Sequence, residues 1–208
     1  MPERAPPLRM TAAEYLAWER EQPEKHEFHL GEVFAMAGGS PRHNFLASAC
    51  AAELRTAHRG GPCGVLSSDQ QISTTSRKRY VYADAVVVCG PFEHETGASD
   101  VLTNPSVVVE VLSSSTESFN TEAYDRGEKW QAYQRLGSLR DYLLVSQREA
   151  RVEHYQRTEG GWRYAALGEG ERIELAGGAS FAVDDLYRGA FDYPGDAAPD
   201  PVDASSGD

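Results

Sequence analysis

Residues 106–112 read SVVVEVL, an apolar run that a single acidic residue, Glu110, interrupts. A short continuous apolar run bounded by polar turns is typical of a central strand covered on both faces. Strand alternation places Glu110 on the same face as Leu112, with Val109 and Val111 on the other face. A carboxylate in such a strand is expensive to desolvate unless a cation or hydrogen bonds compensate it. We therefore expect a specific partner for Glu110 within the fold.

A second carboxylate stands at the entrance of another apolar strand. Residues 82–88 read YADAVVV, so Asp84 directly precedes an apolar segment. If the two strands are neighbours, Asp84 and Glu110 converge, and Mg²⁺ favours a site of one or two carboxylates completed by waters and phosphate oxygens. Each residue also has a structural alternative. Asp84 can cap a turn, and Glu110 can bond a core tyrosine or arginine.

Helix, strand and turn signals around these residues indicate a mixed α/β fold. Thr11 and Glu14 form a capping-box pattern, and Ser40 followed by Pro41 begins a second helix. The predicted order is a helix at 11–21, a hairpin at 26–34, a helix from 41 to about 60, strands at 65–72 and 80–89, a loop at 90–104, the strand at 106–112, a helix at 121–135 and a strand meander after 140.

The helix after the Glu110 strand carries a cation on its apolar stripe. At about 100° per residue, one stripe contains Asp125, Lys129, Ala132, Tyr133 and Leu136. A lysine on that stripe faces the sheet only if anions accompany it, and Glu110 or a bound phosphate would provide them. The alternative is an ordinary i, i+4 pair of Lys129 with Asp125 on an exposed face.

Composition sets the class of protein. The chain has 208 residues, of which 40% are hydrophobic, enough for one well-buried domain. A formal charge of −12 argues against nonspecific coating of nucleic acid by a basic surface, although it allows a local basic groove. No stretch approaches the roughly 18 apolar residues of a membrane span, and the N-terminus lacks a signal-peptide run. We expect a cytoplasmic protein without membrane contact.

Three segments are expected along the chain: a flexible N-terminus at 1–10, one domain at 11–191 and a disordered acidic tail at 192–208. The tail is rich in Asp, Pro, Gly and Ala and has too little apolar area to offset the cost of ordering. The cysteines Cys50, Cys63 and Cys89 are an odd number without a CxxC pair. This pattern favours small core residues in a reducing compartment and indicates neither a disulfide framework nor a zinc site.

Together these features resemble the Uma2 family. The resemblance rests on Asp84 at a strand start, Glu110 in its strand followed by Ser115-Thr116, the segment YDRGEK at 124–129 and the segment DYLLV at 141–145. It covers roughly residues 11–191. The family is placed in the PD-(D/E)xK nuclease superfamily and described as restriction endonucleases. The resemblance thus implies a restriction-endonuclease-like core, a central mixed β-sheet flanked by helices.

The resemblance also implies roles for individual residues. Asp84 matches the aspartate of the PD motif and Glu110 the acidic residue of the (D/E)xK motif, so both would ligate Mg²⁺ or Mn²⁺. Lys129 matches the lysine that some members supply from the following helix. Glu27 matches a further acidic position and would orient the attacking water. The implied activity is hydrolysis of DNA phosphodiester bonds by metal-activated water, and a homodimer would suit cutting of both strands.

The chain departs from the family pattern at two positions, of which Ala83 affects strand geometry more than chemistry, whereas Leu112, together with the charge of −12, favours a different class of function. Ala83 replaces the proline before Asp84, and Leu112 occupies the usual lysine position. Catalysis would then depend on Lys129 arriving from another element. The alternative is a catalytically silent nuclease-fold protein that serves as an interaction or regulatory module.

Two further groups have structural and functional interpretations. Arg77, Lys78 and Arg79 can contact a DNA backbone, or they can form a solvated hairpin turn. The turn interpretation is favoured. His43, just inside the second helix, is read as a surface or packing residue.

Overall fold

A computed structural model describes residues 8–36, 38–113 and 124–196. The strands in chain order are β1 (Leu8–Arg9), β2 (His26–His29), β3 (Glu32–Ala35), β4 (Cys63–Ser67), β5 (Gln71–Thr75), β6 (Arg79–Tyr82), β7 (Ala85–Cys89), β8 (His94–Glu95), β9 (Ala98–Leu102), β10 (Val107–Val111), β11 (Asp141–Val145), β12 (Val152–Thr158), β13 (Gly161–Leu167), β14 (Arg172–Glu174) and β15 (Ser180–Ala182). The helices are α1 (Ala12–Glu19), α2 (Pro41–Ala57), a π-helical turn (Asp125–Lys129), α3 (Trp130–Tyr133), α4 (Val183–Tyr187) and a 3₁₀ turn (Ala190–Asp192).

The strand at 107–111 is central, as its apolar pattern predicts. It lies in a six-stranded sheet of order β13-β12-β11-β10-β7-β4, parallel to β11 and antiparallel to β7. Alternate residues serve two different cores. Val107 and Val109 pack with α2 and α4, whereas Val108 and Leu112 pack with Tyr133 beyond the π-helical turn. The mixed sheet flanked by helices is therefore confirmed.

A seven-stranded sheet, β1-β3-β2-β6-β5-β9-β8, completes the molecule. Its residues Ile72, Val81 and Leu102 share the core that contains Val108 and Tyr133. Helix α1 packs on this sheet through Tyr15, whose ring stacks on Phe28 at a centroid distance of 4.9 Å. The core that contains Val108 is thus built from both large sheets and α3.

The helix starts follow the capping signals. Thr11 and Glu14 form the capping box of α1, and the Ser40 hydroxyl accepts a hydrogen bond from the His43 amide at the start of α2. Pro41 occupies the first turn, where no amide donor is needed. These local interactions set where α1 and α2 begin.

The chain from Tyr80 to Cys89 differs from the single predicted strand. It breaks at Ala83 and Asp84, and its halves join different sheets, β6 in the seven-stranded sheet and β7 in the six-stranded one. The expected loop at 90–104 contains the strands β8 and β9. Both strands are too short for an alternation of polar and apolar residues to distinguish them from a loop.

The chain ends are more ordered than expected over the described residues. β1 pairs with β3, although it falls in the segment expected to be flexible. The start of the acidic tail also packs on the domain, which corrects the expected boundary at 192. The carbonyls of Tyr193 and Pro194 accept hydrogen bonds from Arg42, and Asp196 accepts from Ser113 and Gln147. The rest of the tail, 197–208, and the helix start at 121–123 lie outside the described residues.

The expectation for the cysteines is wrong for one pair. Cys63 and Cys89 face each other on the antiparallel strands β4 and β7, with Cα atoms 4.0 Å apart, and form a disulfide. Cys50 is a buried free thiol, as expected. The pairing depends on strand register, which cysteine spacing does not show. Within the described residues, no helix is long and apolar enough to cross a membrane.

Candidate active site

Asp84 and Glu110 meet because β7 and β10 are neighbours. Ala85 lies opposite Val109, and the Asp84 amide donates to the Val109 carbonyl at 3.0 Å. The Asp84 carboxylate accepts the Val111 amide at 2.7 Å. Both acidic side chains line one cleft. The predicted convergence is therefore present, and the backbone of one strand fixes the carboxylate of the other.

Lys129 enters this cleft from the π-helical turn, as its helical phase predicts. Its side chain is 2% exposed. The ammonium nitrogen lies 3.2 Å from Glu110 Oε1 and 3.1 Å from Glu27 Oε1, and it donates to the Tyr82 carbonyl at 3.1 Å. An ammonium has three donors, so these oxygens can occupy all of them. Lys129 therefore acts on a ligand in the cleft mainly through its charge.

The structure also contains some of the contacts that the structural alternatives for these residues predict. Glu110 accepts a hydrogen bond from the Tyr133 hydroxyl at 2.9 Å. Asp125 pairs with Lys129 at 3.6 Å, although both side chains are buried and not on an exposed face. Tyrosine and lysine together hold Glu110 in one orientation.

Glu27 contacts Lys129 from an interior strand of the seven-stranded sheet. It lies on β2, is 2% exposed and accepts the Tyr124 hydroxyl at 3.1 Å as well as contacting Lys129. The contact joins the two sheets at the point where the chain passes between them. Its position suits a residue that fixes the lysine.

The turn that presents Lys129 is π-helical. Residues Asp125–Lys129 form this turn, and regular α-helix begins at Trp130. Single π-helical turns within helices occur frequently at functional sites, where they change the direction of the side chains before and after them. Asp125, Lys129 and Tyr133 are all buried toward the sheet.

The site carries more negative charge than its lysine balances. Glu27, Glu110 and Asp125 surround the ammonium group of Lys129, and Asp84 lines the same cleft. Burial raises the pKa of Glu110 well above its usual range, and the nearby carboxylates raise it further against the opposing effect of Lys129. Burial likewise raises the pKa of Asp125 to about 7.

One atom of the cluster lacks a hydrogen bond. Among the described residues, Asp125 Oδ1 is buried without a hydrogen-bond partner, although Lys129 lies 3.6 Å away. A buried anion without full compensation favours an additional cation. Oxygen donors are the ligands that Mg²⁺ and Mn²⁺ accept. Asp84 and Glu110 supply donors of this type and line the same cleft.

For Lys129, two effects oppose each other. Burial alone disfavours its charged form, but the carboxylates of Glu110, Glu27 and Asp125 outweigh this and raise the pKa of Lys129 well above its usual value. The lysine is therefore a permanent positive charge in the cleft.

His43 belongs to this cleft, which the sequence interpretation did not foresee. Its Nε2 atom lies 3.5 Å from Asp84 Oδ2, and its Nδ1 atom is buried with no hydrogen-bond partner in the part of the chain that the structure describes. It lies in the first turn of α2, shortly after the Gly38-Gly39 segment, which also lines the cleft. The signal in the sequence is a histidine directly after a well-capped helix start.

The basic turn lies away from Asp84 and divides between two surfaces. Arg79 is buried and donates to the Glu128 carboxylate at 3.0 Å. Lys78 lies in a groove with Arg135, whereas Arg77 lines a separate groove beside α1. The predicted solvated turn thus describes Arg77 and Lys78, but Arg79 is an internal residue.

Known proteins share this sequence pattern over most of the chain. The model of the Uma2 family, described as "Putative restriction endonuclease", matches residues 12–184. The chain is 37% identical over 187 residues to the uncharacterized protein slr1290 of Synechocystis sp., covering 89% of this chain and 95% of that protein. It is 33% identical over 169 residues to sll1609 of the same organism, covering 80% and 93%. The chain belongs to the Uma2 family.

The fold of this Uma2 protein also matches a solved structure. That structure is described as "a putative nuclease belonging to DUF820" from Anabaena variabilis, with a TM-score of 0.67 and 14% identity over 87% of this chain and 99% of that one. The likeness confirms the mixed-sheet fold class. The family description places the chain in a nuclease family.

Proposed function

We propose that this Uma2 protein is a Mg²⁺- or Mn²⁺-dependent endonuclease that hydrolyses DNA phosphodiester bonds in the cytoplasm. The observation that carries the proposal is the meeting of Asp84, Glu110 and Lys129 in one cleft from three separate elements. Neither fold stability nor packing requires an excess of buried carboxylates at this point. A bound cation would account for it.

Each residue has a definite task in the proposed reaction. Asp84 and Glu110 would hold the cation, which when bound supplies a water of lowered pKa and offsets negative charge on the phosphate. Lys129 adds a fixed positive charge that stabilises the negative charge developing on phosphate oxygens. Glu27 positions Lys129, and Tyr133 orients Glu110.

The position of Lys129 also bears on the departure at Leu112. Leu112 is an apolar core residue beside Tyr133, and the lysine reaches Glu110 from the helix. This arrangement supports the enzyme over the silent module, because Lys129 can take the role of the lysine that is missing at position 112. A silent module would need no lysine among three buried carboxylates.

Plasmid cleavage tests the proposal. The wild-type protein should convert supercoiled DNA to nicked or linear forms with Mg²⁺ or Mn²⁺ and lose this activity in EDTA. Glu110→Gln and Lys129→Met should each lower the rate by roughly 100-fold or more. Glu159→Gln, a matched change on the exposed β12–β13 turn, should leave the rate unchanged.

Folding and metal binding complete this experiment. Removing one partner of a buried ion pair costs about 3–5 kcal/mol, so circular dichroism must show that each variant is folded. Calorimetry should show metal binding that Asp84→Asn weakens. Wild-type protein that neither binds metal nor cuts DNA would favour the silent module. Sedimentation of the wild type tests the predicted homodimer.

A further inference from the structure

A second cluster of ligand-type side chains lies at the far end of β7. One ring nitrogen of His58 and the sulfurs of Cys63 and Cys89 all lie within 4.8 Å of one another. Asp84 precedes Cys89 by five residues in this extended chain, which corresponds to about 16 Å. The cluster is therefore separate from the candidate active site.

Three different elements contribute to the cluster. His58 caps the C-terminal end of α2, Cys63 begins the edge strand β4, and Cys89 ends β7. The turn between His58 and Cys63 is closed by a hydrogen bond from the Gly61 amide to the His58 carbonyl. The local turn and the strand pairing together hold the three side chains on one side of the sheet edge.

The histidine is oriented as a metal ligand commonly is. His58 Nδ1 lies 2.9 Å from the Leu54 carbonyl, an atom that can only accept a hydrogen bond. In the neutral imidazole, Nδ1 therefore carries the proton and Nε2 keeps its lone pair. Metal-ligating histidines usually donate their other N–H to a carbonyl or carboxylate in this way. This contact is independent of the cysteine pairing.

We propose that the reduced form of this cluster binds a thiophilic divalent cation, with Zn²⁺ the best match. Two thiolates and one imidazole are a typical zinc donor set, and a water can complete the tetrahedron because Cys89 is exposed. The site takes its ligands from sulfur and nitrogen. The candidate active site uses oxygen donors, so the two sites select different cations.

The disulfide and the metal are alternative states of the same cysteines. A thiol reductant cleaves the Cys63–Cys89 bond. The protein gains two electrons and two protons, and the reductant is oxidised to its own disulfide. The cation then displaces the two thiol protons as the thiolates bind. In a reducing compartment the dithiol form is the one available to metal.

Cadmium titration of the full chain tests the site. Protein reduced and freed of reductant should show ultraviolet thiolate-to-cadmium absorption that saturates at one Cd²⁺ per chain, and Zn²⁺ should compete it away. The oxidised protein should show none. Cys63→Ser and Cys89→Ser should abolish the band. His58→Ala should weaken binding by roughly 10-fold or more.

Two control variants distinguish this site from the buried thiol and from the carboxylate cleft. Cys50→Ala removes the buried third thiol and should keep the band. Asp84→Asn should also keep it, so a failed nuclease proposal would leave this result unaffected. Zn²⁺ should raise the melting temperature of the reduced wild type but not of Cys89→Ser. A reduced, folded wild type without the cadmium band, or a band that survives Cys63→Ser and Cys89→Ser, would overturn the proposal.

Discussion

His43 is the residue whose role changes most between sequence and structure. Its imidazole contacts Asp84, and both residues line the cleft. We expect His43→Ala to lower the plasmid cleavage rate by roughly 10-fold or more, because Asp84 would lose a side chain that orients it as a ligand of the cation. His43→Asn should recover part of the rate. The metal affinity should fall in parallel, as calorimetry would show. A purely structural role predicts lower thermal stability with the affinity for metal unchanged.

Asp125 makes the stability of the metal-free protein depend on pH. Its pKa is raised from 3.8 to about 7, chiefly by burial. The folded state therefore binds a proton that the unfolded state releases between these values, so this group's contribution to stability falls as pH rises from about 4 to 7. Asn resembles the protonated carboxyl.

Asp125→Asn should therefore raise stability at pH 5 and raise it further at pH 8, relative to the wild type. Urea unfolding in EDTA at both pH values measures the difference. An equal effect of the substitution on stability at pH 5 and pH 8 would show that the Asp125 carboxyl is not the origin of the pH dependence.

The π-helical turn is the element that brings Lys129 into the cleft. Deleting Gly127 should convert the turn to regular α-helix and rotate the residues before it by about 100° relative to Lys129. The contact of Tyr124 with Glu27 would be lost, and we expect the cleavage rate to fall by roughly 100-fold or more while the sheets stay folded.

Gly127→Ala is the matched control for this deletion. A Cβ at Gly127 would meet no atom within 4 Å. It should raise helix stability by about 0.5–1 kcal/mol and leave cleavage unchanged. Full activity in the deletion variant would show that the π-helical geometry is unnecessary. Circular dichroism and plasmid assays give both readouts.

Features that depend on residues close in sequence were predicted better than features that depend on contacts between distant segments. The capping residues Thr11 and Ser40 located two helices, because caps depend on residues close in sequence. Alternation correctly assigned the face of Glu110, since it needs only the strand period. The change of sheet at Asp84 and the pairing of Cys63 with Cys89 depend on strand register between distant segments. A single sequence does not encode that register in any local pattern.

At the scale of the whole molecule, the proposed nuclease has a formal charge of −12 and would have to bring a polyanion to its cleft. Long-range repulsion works against this, so binding depends on a local cationic surface. Such a surface lies on the outer side of the helix that carries Lys129. It is a groove lined by His29, Lys78 and Arg135, among other residues.

This groove separates Lys78, which can follow the DNA, from Arg77, which cannot. Lys78 and Arg135 are exposed in it, whereas Arg77 lies in the other groove beside α1. Each phosphate contact adds about 0.9 to the slope of log affinity against log salt concentration. Fluorescence anisotropy with labelled duplex DNA in EDTA measures this slope without cleavage. Lys78→Ala and Arg135→Ala should each reduce it by about 1, and Arg77→Ala should not. Equal effects of Lys78→Ala and Arg77→Ala would place the DNA over the tip of the turn and away from this groove.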